Sequence, residues 1–249
     1  MVHNNAEVLA HWNKDDVQSM YDKYLLDGEI ELIRQRITPN AKVLDAGCGE
    51  GEGTIVYSAI PGTRVTAVDF SETRLKKATE RLRGRGNVEL RQVDFLGEYE
   101  LDGDFDFVVS QRFLINLMEW ELQSKVLVEL MARLKPGGRF LMLEGSQPGV
   151  DSLNELRAAL GLAPIPVQWH NWFFDDEQLI DHMQAHGFAL AEVAGLGTYF
   201  ALTRGIRPAL DQDLNWDSEF NRSAASPRMD ELLDLGTKFS RLKLWVFTK

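Results

Sequence analysis

The sequence predicts an α/β fold, a parallel sheet whose strands are joined by crossover helices. Three observations carry this. Short apolar or β-branched runs alternate with helix-length stretches from Lys42 to Glu144. These stretches carry apolar residues at spacings of three and four, as an amphipathic helix does. Glycine clusters, prolines or acids punctuate nearly every junction. Strands alternating with helices make a parallel sheet with right-handed crossovers.

The elements follow in order. Residues from Val8 to Ile37 read as helix, with Leu25, Ile30, Leu32 and Ile33 facing the core and Pro39 ending it. Lys42–Asp45 is a short strand that runs into glycines. A helix is expected from Thr54 to Ile60, stopped by Pro61-Gly62. Arg64–Asp69 is a β-branched strand ending in an acid, and Ser71 caps the next helix, whose Leu75, Ala78 and Leu82 share a face. Val88–Val93 and Phe105–Val109 are strands. The helix around Glu121–Leu134 carries the stripe Leu122, Val126, Leu130 and Leu134, and Lys135-Pro136-Gly137-Gly138 turns it into the strand Arg139–Leu143. Asp151–Leu160 and Asp175–Ala185 read as helices, and Phe188–Val193 and Leu242–Phe247 as strands. The stretch 195–241 between those last strands is too long for a hairpin loop and reads as a functional insertion.

Composition excludes several classes. The 249 residues are 44% hydrophobic and 26% charged, enough for a sizeable core in one domain. A single Cys excludes a disulfide framework and a multi-Cys zinc site, and no metal site is expected. No apolar run approaches the roughly 20 residues that span a bilayer. Met1–Glu7 lacks a basic start followed by an apolar stretch, so no signal peptide and a cytoplasmic location are expected. With 27 Lys+Arg against 38 Asp+Glu the net charge is −11, which disfavours a grip on nucleic acid.

The densest chemical signal is Asp45-Ala46-Gly47-Cys48-Gly49-Glu50-Gly51 at the end of the first strand. Glycines at a strand end let backbone approach a ligand, and ligands of open parallel sheets sit beyond the strands' carboxyl ends. Asp69 ends the next strand, 22 residues after Gly47, where dinucleotide folds place a ribose-binding acid. A nicotinamide or flavin fingerprint would need a third glycine at position 52, which is Glu52. A loop holding Asp45, Glu50 and Glu52 suits a ligand with a cationic end better than a phosphate. Cys48 reads as a small buried filler rather than a nucleophile.

This combination resembles the class I S-adenosylmethionine-dependent methyltransferases over most of Lys42–Glu144. The resemblance implies a Rossmann-like seven-stranded, mostly parallel sheet with helices on both faces and the last strand antiparallel. It implies S-adenosyl-L-methionine as cofactor, with Asp45, Gly47, Cys48, Gly49 and Gly51 as its glycine loop. Asp69 would bind the ribose, Phe70 and Ser71 follow it, and Asp94 and Phe95 would border the adenine. Ser110 and Gln111 would lie under the methionyl part, and Tyr21 reaches toward it. The turn Lys135–Arg139 is similar to the family's turn before its fifth strand.

Absences narrow the acceptor. The Asp/Asn-Pro-Pro-aromatic motif of DNA amino-methylating enzymes is missing, since the fourth strand runs into Ser110-Gln111-Arg112-Phe113. The Pro-Cys nucleophile of cytosine carbon-5 enzymes is missing too. The expected activity is methyl transfer to an oxygen or nitrogen of a small molecule. The stretch Arg112–Leu117 with Trp120-Glu121 is similar to methyltransferases of surface-sugar and secondary-metabolite pathways, and suggests an acceptor of that type. The alternatives are an NAD(P)-dependent oxidoreductase and a non-catalytic S-adenosylmethionine-binding protein.

In this family the N-terminal helix and the segments after strands four and five roof the acceptor pocket. This implies a helical cap at 1–40, a cofactor core at 41–145, and substrate-cap insertions at 146–186 and 195–241 of a single domain. His170 is the leading base candidate because its ordinary pKa is near neutral, with His11 and Glu144 behind it. Trp169 and Trp172 read either as pocket walls or as anchors of a flap. Arg112, Asn116 and Arg204 are acceptor-binding candidates, the arginines for a carboxylate or phosphate. A monomer or homodimer, without membrane or nucleic-acid partners, is expected.

Overall fold

The computed structural model describes residues 5–18, 20–211 and 215–249. Residues 1–4, part of the stretch on which the absence of a signal peptide was inferred, lie outside the described residues, as do 212–214 within the long insertion.

Seven strands form one sheet: β1 (Lys42–Ala46), β2 (Arg64–Asp69), β3 (Val88–Gln92), β4 (Phe105–Gln111), β5 (Leu134–Gly145), β6 (Ala189–Gly195) and β7 (Leu242–Thr248). Their order is β3-β2-β1-β4-β5-β7-β6. The first five run parallel, and β7 lies antiparallel between β5 and β6. The fold class that the sequence predicts is the one observed. Central strands are buried on both faces, which is why they read as continuous apolar runs. Leu44, Val108, Phe140, Met142, Trp245 and Phe247 face one core. Val43, Phe107, Val109, Leu141, Leu143, Leu244 and Val246 face the other.

Helices cover both faces. Helices α1 (Asn5–Trp12), α2 (Lys23–Arg34), α3 (Glu52–Tyr57), α4 (Glu72–Arg81), α5 (Trp120–Ala132), α6 (Gln147–Ala159) and α7 (Asp176–Ala185) come first. Val126, Leu127 and Leu130 of α5 and Met183 of α7 fill the first core. Ile30 and Ile33 of α2, Tyr57 of α3 and Leu153 of α6 fill the second. Residues 195–241 hold α8 (Gly197–Phe200), a π-helical turn Ala201–Ile206, α9 (Arg207–Leu210), α10 (Glu219–Ala224) and α11 (Pro227–Leu233).

Two boundaries differ from the sequence expectation. The single helix from Val8 to Ile37 is two helices, because the backbone between them is held from outside. Ser71 and Thr73 bond Trp12 and Asn13, and Asp22 restarts the helix by accepting the Leu25 N–H at 3.2 Å. Strand β5 is longer than Arg139–Leu143 at both ends. Leu134 already pairs with Phe105, and residues 135–138 bulge before pairing resumes at Arg139.

Candidate cofactor and acceptor site

A cavity of about 800 Å³ opens at the carboxyl ends of β1, β2 and β4. That is within the size range of small-molecule sites. Its floor is the turn after β1. Gly47 and Gly49 have φ of +72° and +56°, a region that side chains other than glycine enter at a cost. The N–H groups of Gly47 and Cys48 both donate to Val68 O, which ties the turn to β2. A Cβ on Gly47 would lie 2.5 Å from the Cβ of Phe113, so only glycine fits. A Cβ on Gly49 would meet nothing within 4 Å. The turn therefore presents bare backbone to the cavity. Gly51 stands just before α3 and does not line it.

Asp69 is buried at the end of β2, and its two oxygens accept the N–H groups of Gly49 and Ser71, each at 2.9 Å. Burial raises its pKa, and the Ser71 and Gly49 N–H groups pull it back. Asp45 accepts the Thr54 hydroxyl at 2.6 Å, and burial pushes it up to about 6. Asp94 accepts the Leu96 N–H at 2.9 Å. Asp45, Asp69, Phe70, Cys48, Asp94 and Phe95 all line the cavity. The acidic loop is partly neutralised from α4. Glu50 pairs with Arg74 at 3.0 Å and Lys77 at 3.1 Å, and Glu52 pairs with Arg81 at 2.8 Å. Burial raises the Cys48 thiol well above its ordinary range, the state of an inert filler.

The N-terminal segment is strapped over this half. Ser71 accepts the Arg74 N–H at 3.2 Å as the cap of α4, and its hydroxyl reaches Asn13 Oδ1 at 2.7 Å. Arg74 donates to Val17 O at 2.7 Å and lies 4.7 Å over the Trp12 ring. Ser71 is therefore an anchor rather than a wall of the cavity. His11, Trp12, Asp16 and Tyr21 become wall residues.

The other half lies over β4, β5 and β7. Glu144, wholly buried on β5, accepts the N–H groups of Phe113 and Leu114 at 3.1 Å and of Ile115 at 3.2 Å. It fixes the turn after β4 from below and does not reach the cavity, which removes it as a base candidate. That turn carries Gln111, Arg112 and Asn116 on the wall. Asn116 Oδ1 accepts the Trp12 indole N–H at 3.0 Å and faces His170 Nδ1 at 3.1 Å, while its Nδ2 donates to Arg112 O at 2.7 Å. An oxygen accepts in each of these pairs, so Nδ1 of His170 carries its proton. His170 stacks on His11 with ring centroids 4.9 Å apart. Burial lowers its pKa to about 4, with His11 adding.

Besides Gly51 and Ser71, three more predicted site residues are not on the wall: Ser110, Trp169 and Trp172. Ser110 is buried within the sheet. The two tryptophans are exposed because the segment is pinned by its neighbours. Trp172 N donates to Ile115 O at 2.7 Å, Phe174 N donates to Gly145 O at 2.9 Å, and the Phe173 ring fills the space a Cβ on Gly145 would take. This register turns Gln168, His170, Asn171 and Phe173 inward instead.

Arg112 and Arg204 do reach the wall, but each holds a buried acid. Arg112 pairs with Glu29 at 3.0 Å, and Arg204 with Asp22 at 2.6 Å. The Tyr199 hydroxyl lies 2.8 Å from both Asp22 oxygens. Arg241, which the sequence reading overlooked, is a third arginine on this half of the wall, just before β7. It stands 37 residues beyond Arg204 in a polar connection with no motif, so only the β5-β7 pairing brings it here.

Residues 43–138 match the family described as "Methyltransferase domain". The chain is 31% identical over 222 residues to a demethylmenaquinone methyltransferase of Clavibacter sepedonicus, covering 78% of this chain and 89% of that protein. It spans about half the length of other curated relatives it matches. One is the demethylmenaquinone methyltransferase of Staphylococcus carnosus, 33% identical over 117 residues, 46% of this chain and 47% of that one. A solved Haemonchus contortus phosphoethanolamine N-methyltransferase, holding phosphoethanolamine and S-adenosylhomocysteine, superposes with a TM-score of 0.64 at 17% identity. That match covers 98% of this chain and 48% of the other. The fold, the glycine turn and its acids define a cofactor-binding methyltransferase-type domain. The chain belongs to the class I S-adenosylmethionine-dependent methyltransferases, and S-adenosyl-L-methionine is its cofactor.

The residues fit that cofactor. The space beside Gly49 admits a ligand against bare backbone, and Asp69, Asp94 and Asp45 line a cavity suited to ribose hydroxyls and positive charge. Among the described residues, no helix is long and apolar enough to cross a membrane.

Proposed function

We propose that this chain transfers the methyl group of S-adenosyl-L-methionine to an oxygen or nitrogen of a small acceptor, such as a sugar or a natural product. The observation that carries the reading is one continuous cavity with two chemically distinct halves. The β1–β3 end is lined by glycine backbone and carboxylates, and the β4–β7 end by arginines, Asn116, His170 and Phe173. The cofactor, when bound, supplies a methyl carbon made electrophilic by its sulfonium. The chain then has to align a nucleophile and exclude water.

In this reading Asp69 and Asp94 hold the adenosyl end, and Tyr21, Trp12 and Gln111 close over the junction. Asn116 orients His170 through Nδ1, leaving Nε2 as the acceptor atom. A neutral imidazole at that place takes a hydrogen bond or proton from an acceptor hydroxyl, while an amine acceptor has to arrive already as the free base, with its lone pair available. Its low pKa suits acceptance late in transfer, when the nucleophile's proton has become acidic.

Calorimetric titration with S-adenosylmethionine tests binding, and release of S-adenosylhomocysteine with an acceptor panel tests transfer. The panel includes sugars and phenols. It also includes a demethylmenaquinone analogue and phosphoethanolamine, because relatives are named for those acceptors. Absence of binding at high micromolar cofactor overturns the reading. Binding without turnover on any acceptor favours a non-catalytic binder, and tight binding of a reduced nicotinamide favours the oxidoreductase reading.

A further inference from the structure

The basic half of the cavity has an unequal charge balance. Arg112, Arg204 and Arg241 line it, and two buried acids, Glu29 and Asp22, stand behind them. Three cations against two anions leave one positive charge, and the pairing shows where it resides. Glu29 holds Arg112 and accepts the Gln111 amide at 2.8 Å, while Asp22 holds Arg204. Among the described residues, Arg241 has neither an ion pair nor a side-chain hydrogen bond, and its guanidinium lies 5.3 Å from the Phe173 ring centroid.

A desolvated guanidinium without a counter-charge is costly, and a bound anion offsets that cost. Guanidinium also offers the forked donors that match a carboxylate or phosphoryl group. Its place separates it from the cofactor end. Arg241 precedes Leu242, which pairs with Gly145 at the tip of β5, whereas the adenosyl-side acids end β1 and β2 and follow β3.

We propose that Arg241 is the anion-recognition residue of the acceptor half, and that the methyl acceptor carries a carboxylate or phosphoryl group seated on it. This deepens the methyltransferase reading and rests on it for the word acceptor. Phe173, beneath the guanidinium, supplies a flat apolar surface for the part of the acceptor next to the anion. Arg112 and Arg204 position the site through their acids.

The test is calorimetry on the full chain saturated with S-adenosylhomocysteine, using benzoate, phenyl phosphate and inorganic phosphate, with benzamide as the neutral match to benzoate. At least one anion should bind in the millimolar range or better and benzamide at least tenfold more weakly. Arg241→Gln should weaken that anion tenfold or more, and Arg241→Lys should keep part of the affinity. Both variants should bind S-adenosylhomocysteine within twofold of the parent, which also reports that they fold. The carboxylate and phosphate arms decide which anion the site prefers. The proposal is overturned if none of the anions binds, or if Arg241→Gln leaves anion binding unchanged. It is also overturned if that variant instead loses S-adenosylhomocysteine, which would assign the guanidinium to the cofactor's own carboxylate. Repeating the anion titrations without S-adenosylhomocysteine keeps this result separate from the cofactor result on which the methyltransferase reading depends.

Discussion

One oxygen of Asp69 accepts the backbone N–H of Gly49 at 2.9 Å, so the acid at the end of β2 also fixes the bare turn at the end of β1. The two elements proposed to bind the cofactor are thereby coupled. Asp69→Ala should lose the proposed ribose acceptor and release the turn together. Hydrogen bonds to a charged group are worth about 1.5–3 kcal/mol each. S-adenosylhomocysteine affinity, read by calorimetry, should therefore fall by roughly tenfold to a hundredfold, and a change within twofold would remove the assignment.

The two turn glycines should respond differently to alanine. Gly47→Ala combines a left-handed φ with a clash against Phe113, so about 2–4 kcal/mol of stability should be lost. Gly49→Ala faces open space and should cost only about 1 kcal/mol, the backbone part alone. Gly49 lines the cavity proposed for the cofactor, so cofactor binding should drop far more than stability. Urea unfolding and calorimetry on both variants check the contrast.

His170→Ala should lower turnover strongly while S-adenosylhomocysteine affinity stays within twofold. With the imidazole held near pKa 4 by burial, its protonation should not shape the activity profile between pH 6 and 8. Asn116→Ala removes the partner of both His170 and Trp12 and should reduce turnover and cofactor affinity together. Unchanged turnover in His170→Ala would leave that residue as packing against His11.

Glu144 makes the stability of the turn after β4 depend on pH. Burial raises its carboxyl from 4.5 to about 7, against the pull of the backbone N–H groups. The folded state thus binds the proton more tightly than the unfolded state. This contribution is fully present below about pH 4.5 and is lost as pH rises through about 7, on the order of 3 kcal/mol. Glu144→Gln should be less stable at every pH, because one amide oxygen cannot accept three N–H groups. The gap in Tm from the parent should be largest at about pH 4.5 and below, already smaller at pH 6, and least by pH 8. A gap that widens with pH would contradict the assignment.

Much of the cavity half proposed for the cofactor was legible in the sequence because its determinants are local. A left-handed turn requires glycine within a residue or two, and an acid that serves a strand end must stand at that end. Asp45, Gly47, Gly49, Asp69 and Asp94 are therefore found by reading along the chain. The helix break at 13–22 was not legible. Its cause is Ser71, Thr73 and Arg74, more than fifty residues away, which hold the backbone carbonyls of Trp12, Asn13 and Val17. The pairing of Glu50 with Arg74 and Lys77 likewise connects a loop to a helix that only the fold sets side by side.

By itself the sequence determined the sheet, its alternation with helices and the glycine turn with its acids, since each rests on backbone geometry and burial encoded over a few residues. Tertiary structure alone decided the half proposed for the acceptor. Asn116, His170, Arg204 and Arg241 come from four separate segments, and which of them face inward depends on packing at a distance. The space beside Gly145 takes Phe173, and with the flanking backbone bonds this directs His170 to the cavity and Trp169 and Trp172 to solvent. Glu29 and Asp22 pair with two arginines and leave Arg241 facing the cavity without an ion pair among the described residues. Such a balance depends on distances between side chains far apart in the chain, and no spacing in the sequence records it.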